Sequence, residues 1–420
     1  MTHLSRRTGC ITLTLVLFLA SNRATEARPA RPAPALPAPA GTVITVATEP
    51  QLQAAMAKVT SDVTLVLAPG TYRLTRSLSF NGALKNIGVR GATADADDVQ
   101  IIGAGMSRSD AGGVPYGIWT GNGVDGITIA NLTLRDFYFH PIVFNGGTQR
   151  PHVYNVHLID AGQQFLKSNP DAGGIGAADG IVEYSIFEFT TTARDDYPKG
   201  IDIHGAANWK IRHNLFRNLQ APAGQLIGPA VLAWRGSTGT VTEGNTFLNC
   251  GRGVIYGGED VPGASHRGGI IRNNFFYRSS TQPGDVGIHI ADSPDTQVLN
   301  NTVILSGTYQ AAIEYRYTGT TGAVIANSLV DGAIRSRDGA TATLTANVVN
   351  ANPSMFVNPA SGDLHLLPNA AMAIDRGVPV GNAETDWDGD VRPSGAGVDV
   401  GADERRTTVA VYRAARSLER

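Results

Sequence analysis

An asparagine, once replaced by serine, recurs inside a short apolar strand through the middle of this chain: Asn131, Asn155, Ser185, Asn214, Asn245, Asn274, Asn301, Asn327 and Asn347, at steps of 20 to 31 residues. A repeat of this period marks one structural unit per step, each burying its apolar side only by stacking on its neighbours. A carboxamide both donates and accepts, so an Asn at every turn can bond to the Asn above and below and hold successive coils in register. The pattern predicts an all-β protein, a solenoid of stacked strands with about 10–12 coils on the order of 50 Å long.

Composition agrees. With 49 Gly and 22 Pro in 420 residues, long helices are excluded, while 42% hydrophobic and 17% charged residues exclude disorder and coiled coil. One helix is expected: Thr48, Glu49 and Pro50 give a start signal, and Leu52, Ala55, Met56 and Val59 fall on one face of a short N-terminal cap over the β-core.

The domain plan follows from the ends. Arg6 and Arg7 precede an apolar run from Cys10 to Ala20 that is too short to span a bilayer, so residues 1–27 are expected to be a signal peptide and the protein to be secreted or periplasmic. Residues 28–41 alternate Pro and Ala, as an extended linker does; 42–404 form the solenoid domain and 405–420 a C-terminal tail. Formal charge is −2 for the whole chain and −4 without residues 1–27, which argues against nucleic acid or an anionic membrane as partner. Any polyanion site must be local. Cys250 is then the one cysteine left, so no internal disulfide forms, and a monomer is expected.

Counting ten residues back from the repeat places His204 before Asn214 and Arg235 before Asn245, with Lys167 in the preceding coil and Tyr256 in the following one. If these share one outward column, cations stand about one strand spacing apart along a groove. Eliminating across a uronic acid needs a cation or metal on the C6 carboxylate, a base for the C5 proton and an acid for the leaving oxygen. Lys167 or His204 suits the base, Arg235 the carboxylate, and Tyr256 or a protonated Lys the acid. Lys199, Asp202, Trp234, Arg252 and Asp196 complete the expected substrate-binding set. No metal ligands are assigned. Calcium stays open, since Asp386, Asp388 and Asp390 have the spacing of a calcium loop without its distant Glu; a tail packed on the last coil is expected there instead.

The organisation resembles the right-handed parallel β-helix proteins of the pectate-lyase type. The likeness runs from the opening Val-Thr-Leu-Val-Leu-Ala-Pro-Gly-Thr-Tyr-Arg-Leu (63–74) to the closing Asp-Trp-Asp-Gly-Asp-Val-Arg-Pro (386–393). Within it, Phe165-Leu-Lys-Ser-Asn169 looks like the Lys-Ser strand of the family of chondroitinase B and some alginate lyases, which implies Lys167 as base. That family's Arg-His-Gly string is here Ile203-His204-Gly205, so the histidine matches and the arginine does not. Lys199-Gly-Ile-Asp202-Ile resembles the Asp-Gly-Ile-Asp strand of polygalacturonases, which implies an inverting hydrolase with Asp202 and Asp195 or Asp196 as the carboxylate pair. The expected function is therefore a lyase on an acidic, uronate-containing polysaccharide, with hydrolysis or non-catalytic polysaccharide binding as alternatives.

Overall fold

In the computed structural model, which describes residues 32–258 and 263–406, the chain winds through parallel strands into two long sheets. The segments expected as signal peptide and most of the tail, and residues 259–262, lie outside the described residues. Among those described, no helix is long and apolar enough to cross a membrane.

One sheet has 10 strands, from Leu78–Asn81 to Ala333–Arg337, and the other has 20. The larger sheet is two rows of strands joined at a corner, as in Ile181–Glu183 followed by Ile186–Glu188, so each coil has three faces. Every pairing between coils is parallel; an antiparallel hairpin, Phe356–Asn358 with Asp363–Leu366, begins the C-terminal segment. The helix Glu49–Met56 forms where Thr48 caps Gln51 N–H at 3.4 Å, and it buries Leu52 and Ala55 against the first coils.

Stacking of like on like fills the interior. The rings of Phe187, Phe216, Phe247 and Phe276 lie 4.6, 4.9 and 4.4 Å apart and nearly parallel, because each occupies the same inward position one coil further on. Trp209 is fully buried with its indole N–H on Ala177 O at 2.7 Å, and Cys250 is a buried free thiol.

The asparagines sort into two adjacent columns rather than one. At the inward corner position, Asn214, Asn245 and Asn274 each donate Nδ2–H to the next Oδ1, ending on Asn301, every bond 3.0 Å long. Ser185 and Ser328 occupy this position in flanking coils, donating backbone N–H to Asn214 and Asn347 at 2.9 and 2.8 Å. Asn131, Asn155 and Asn327 stand one residue earlier, with Tyr184, His213, Asn273 and Asn300, where φ is between +49° and +57°. Asn fits both columns because it tolerates a left-handed backbone as well as bonding to its neighbours.

The C-terminal segment does not cap the last coil. It doubles back along the side of the larger sheet, where Trp387 stacks on Phe275 at 5.0 Å and Ala402 N–H donates to Thr302 Oγ1 at 2.9 Å. Residues of the Pro/Ala-rich stretch also lie against the sheet: Arg90 Nη1 donates to Pro37 O at 2.9 Å.

Candidate functional site

The 10-stranded sheet carries the site. Side chains alternate across a strand, so only every second residue of each strand faces outward. Strand register gives one outward row as Lys167, Asp202, Leu232, Ile255, His289, Glu314 and Arg335. On the same side, two residues further along each strand, His204 faces Trp234, and Ala291, Arg316 and Arg337 follow in later coils.

Lys167 and His204 are therefore not in one row, and yet they meet. The lysine, opposite Asp202, is long enough to reach across the strand: Nζ lies 2.6 Å from Asp202 Oδ2 and 2.7 Å from His204 Nε2. Asp202 Oδ1 accepts from Trp234 Nε1 at 3.0 Å and lies 3.0 Å from His204 Nε2. Lys199 approaches the same carboxylate at 4.0 Å. Relative exposure is 7% for Lys167, 1% for Asp202 and 7% for His204, so each charge is nearly removed from water.

That enclosure sets the protonation states. Burial lowers the Lys167 pKa and Arg235 adds to it, while Asp202 pulls it back up; the net is below the ordinary lysine value. Burial likewise lowers His204, against the opposing pull of Asp202. Burial alone would raise Asp202, but the His204 hydrogen bond and the Lys167 charge hold it well below the usual carboxylate range. At 2.7 Å, Lys167 Nζ and His204 Nε2 cannot both be donors, so one of the two must offer a lone pair. The cluster is an ionised carboxylate facing a lysine and a histidine that together hold fewer protons than they could.

Two expectations fail by geometry. Tyr256 is aligned with Ala233, not with His204; it points inward, is fully buried, and its hydroxyl is 2.9 Å from Thr242 Oγ1, so it cannot touch a substrate. Arg235 sits past its strand, at a left-handed turn residue with φ 54°, and its guanidinium is exposed over the Trp234 ring at 4.4 Å. It is thus outside the Lys167 row, although its charge acts on Lys167 and His204. Of the remaining expected residues, Asp196, Lys199, Trp234 and Arg252 line a groove of about 460 Å³ that starts beside the cluster.

Residues not anticipated line the far part of that groove: Asp285, His289, Glu314, Arg316 and Arg337. The signal was available in the strands Ile288-His-Ile, Ile313-Glu-Tyr-Arg and Ile334-Arg-Ser-Arg, which repeat the apolar-polar alternation of Ile201-Asp-Ile-His. The acids Asp386, Asp388 and Asp390 do converge, with ligand atoms within 4.8 Å of one another. Asp386 is tied into the folded tail, accepting from the N–H groups of Asp390 and Glu404 at 2.7 and 3.0 Å.

These features define a right-handed parallel β-helix protein with a polar cluster at one end of a groove on its 10-stranded face. A protein-family model described as "Right handed beta helix region" matches residues 199–370. No curated protein sequence matches the chain. Among solved structures it is similar to an alginate lyase from Paenibacillus sp. str. FPU-7, with 17% identity over 74% of this chain and 99% of that one and a TM-score of 0.47. It is also similar to PfbA, a surface adhesin of Streptococcus pneumoniae, with 13% identity over 72% and 86% of the two chains and a TM-score of 0.50. Pectate lyase Pel9A gives 17% identity over 87% and 97%, with a TM-score of 0.43. At such identities the likeness is one of fold.

Proposed function

We propose that the protein is an exported polysaccharide lyase that cleaves an acidic, uronate-containing chain by β-elimination, with Lys167 and His204 as its proton-transfer groups. The observation that carries this is the contact of Lys167 with both Asp202 and His204 in a nearly water-free cluster beside a groove lined by Lys199 and Trp234. A base for C–H abstraction must be deprotonated near the working pH, and burial moves both candidates in that direction. Asp202 fixes their positions and balances the cation that forms when one of them takes the proton. Arg235 and Lys199, at the cluster's rim, are the groups to neutralise the substrate carboxylate as negative charge spreads onto it. With Tyr256 in the core, the proton for the leaving oxygen comes from the protonated partner of the Lys167–His204 pair.

Asp202 is held ionised by its partners, so in an inverting pair it could serve only as the base, and the acid would have to be a second, protonated carboxyl. The fold by itself serves adhesins as well as lyases, so activity is the test. Uronate polymers should yield unsaturated uronate, read by its absorbance, together with new reducing ends. New reducing ends without that absorbance would make it a hydrolase; neither signal, a binding protein.

A further inference from the structure

The outward row that begins with Lys167 and Asp202 becomes apolar at Leu232 and Ile255 and then polar again at His289 and Glu314. Four strand steps separate Asp202 from Glu314, about 19 Å at about 4.8 Å per step. One groove runs from Lys199 and Trp234, which adjoin the near cluster, to His289 and Glu314, and it has both apolar residues in its lining.

The far end is built differently from the near one. Glu314, 2% exposed, accepts from Arg337 Nη1 at 3.1 Å and from the Tyr309 hydroxyl at 3.2 Å. Arg316 comes from the same strand as Glu314 and is ion-paired with the exposed Asp338. Arg252 reaches Asp285 at 3.3 Å. Facing them is His289, held neutral by burial, with its pKa pushed down to about 4 despite the Glu314 and Asp285 charges. Its Nε2 is buried and has no hydrogen-bond partner. Buried polar atoms without a partner are uncommon, and each calls for an explanation such as a missing ligand. In the groove lining, Lys199, Arg252, Arg316 and Arg337 outnumber Asp196, Asp285 and Glu314.

We propose that His289, Arg316 and Arg337 form a second, anionic-sugar subsite that holds the same polysaccharide chain about four units from the Lys167–His204 cluster. This rests on the functional reading above. One strand step is close to the rise of one sugar unit, so a chain lying along the axis puts intermediate units over Leu232 and Ile255, whose apolar surface suits the C–H faces of sugar rings. The arginines take a carboxylate, and the imidazole takes a hydroxyl.

The test is binding of defined oligogalacturonates and oligomannuronates, dimer to octamer, measured calorimetrically with Lys167→Ala protein so that chains stay intact. Affinity should step up by about tenfold between trimer and hexamer, the worth of a charge-assisted hydrogen bond. Adding Arg337→Gln should remove the step and leave dimer affinity unchanged. Because that change also loosens Glu314, Arg316→Gln is the second variant, and it should do the same. A flat length dependence, or Arg316→Gln weakening short and long chains alike, overturns the subsite while leaving the lyase proposal intact. If the unsubstituted protein binds no oligouronate of any length, the functional reading falls and the subsite falls with it.

Discussion

The two sheets carry their surface charges in opposite ways. On the larger sheet, acids and bases alternate along one outward row, Glu183, Arg212, Glu243 and Arg272, each opposite the next in register. They pair off locally: Arg212 with Glu183 at 2.6 Å and Arg272 with Glu243 at 2.7 Å. In the adjoining row His157 bridges Asp97 and Glu188 at 3.0 and 2.7 Å. On the 10-stranded sheet one carboxylate, Asp202, is shared by Lys167, His204, Trp234 and Lys199, and His289 Nε2 is bonded to nothing. The first surface pairs its charges one to one; the second gathers several donors on one carboxylate and leaves a neutral imidazole nitrogen without a partner, as a surface that receives a ligand does. The contrast lies in which residues were placed outward.

Removing the shared carboxylate should have the largest effect. Asp202→Asn leaves buried cations without their counter-charge, a class of change that costs about 3–5 kcal/mol. The check is denaturant unfolding; a loss under about 1 kcal/mol would put Asp202 in the same class as the surface pairs of the other sheet. Next comes turnover: Lys167→Ala or His204→Ala should lower it at least about a hundredfold, whereas His157→Ala on the opposite sheet should leave it unchanged. If both groove variants keep full activity, the elimination site is elsewhere.

The two faces should also respond to pH with opposite signs. His157 has its pKa raised: burial opposes this, but the bonds to Asp97 and Glu188 prevail. Its contribution to stability is complete below the unfolded value of about 6.5 and is lost as pH climbs through the higher folded value. His289 is pushed down to about 4 by burial, so its contribution is present above about 6.5 and is lost as pH falls from there towards 4, on the order of 3 kcal/mol in all. His204 is shifted the same way. Unfolding measured across pH should then show His157→Asn flattening the alkaline limb and His289→Asn the acid limb. The smallest effect is expected for Glu243→Gln, whose pair with Arg272 is partly exposed and worth up to about 1 kcal/mol.

How far the sequence revealed this depends on the residue. The solenoid was legible because its period is written in residues that nothing else would space so evenly. The asparagine column was assigned one residue off in three places, since Asn131, Asn155 and Asn327 meet a backbone demand and Asn214 to Asn301 a bonding one, and the residue type serves both. Counting back a fixed ten residues failed for the same kind of reason. From His204 to Asn214 is ten residues, but from its partner Trp234 to Asn245 is eleven, the extra one taken up where Arg235 and Gly236 both turn at positive φ. One residue reverses the facing of a strand, which is why Tyr256 was expected outside and is found in the core. Lys167, Asp202 and His204 survived the miscount because a lysine side chain is long enough to span the error.

The stacked phenylalanines carry a consequence for how such a molecule can change. Phe216, Phe247 and Phe276 meet like on like, so a coil can be excised between two of them and the cut faces will still match. If the Lys167 and His289 clusters hold one chain as proposed, dropping residues 245–273 brings them one strand step closer and shortens that chain by one unit. The length of polymer such a groove spans is then a counted quantity, altered in whole coils and inherited as such, where most binding sites are tuned by gradual reshaping.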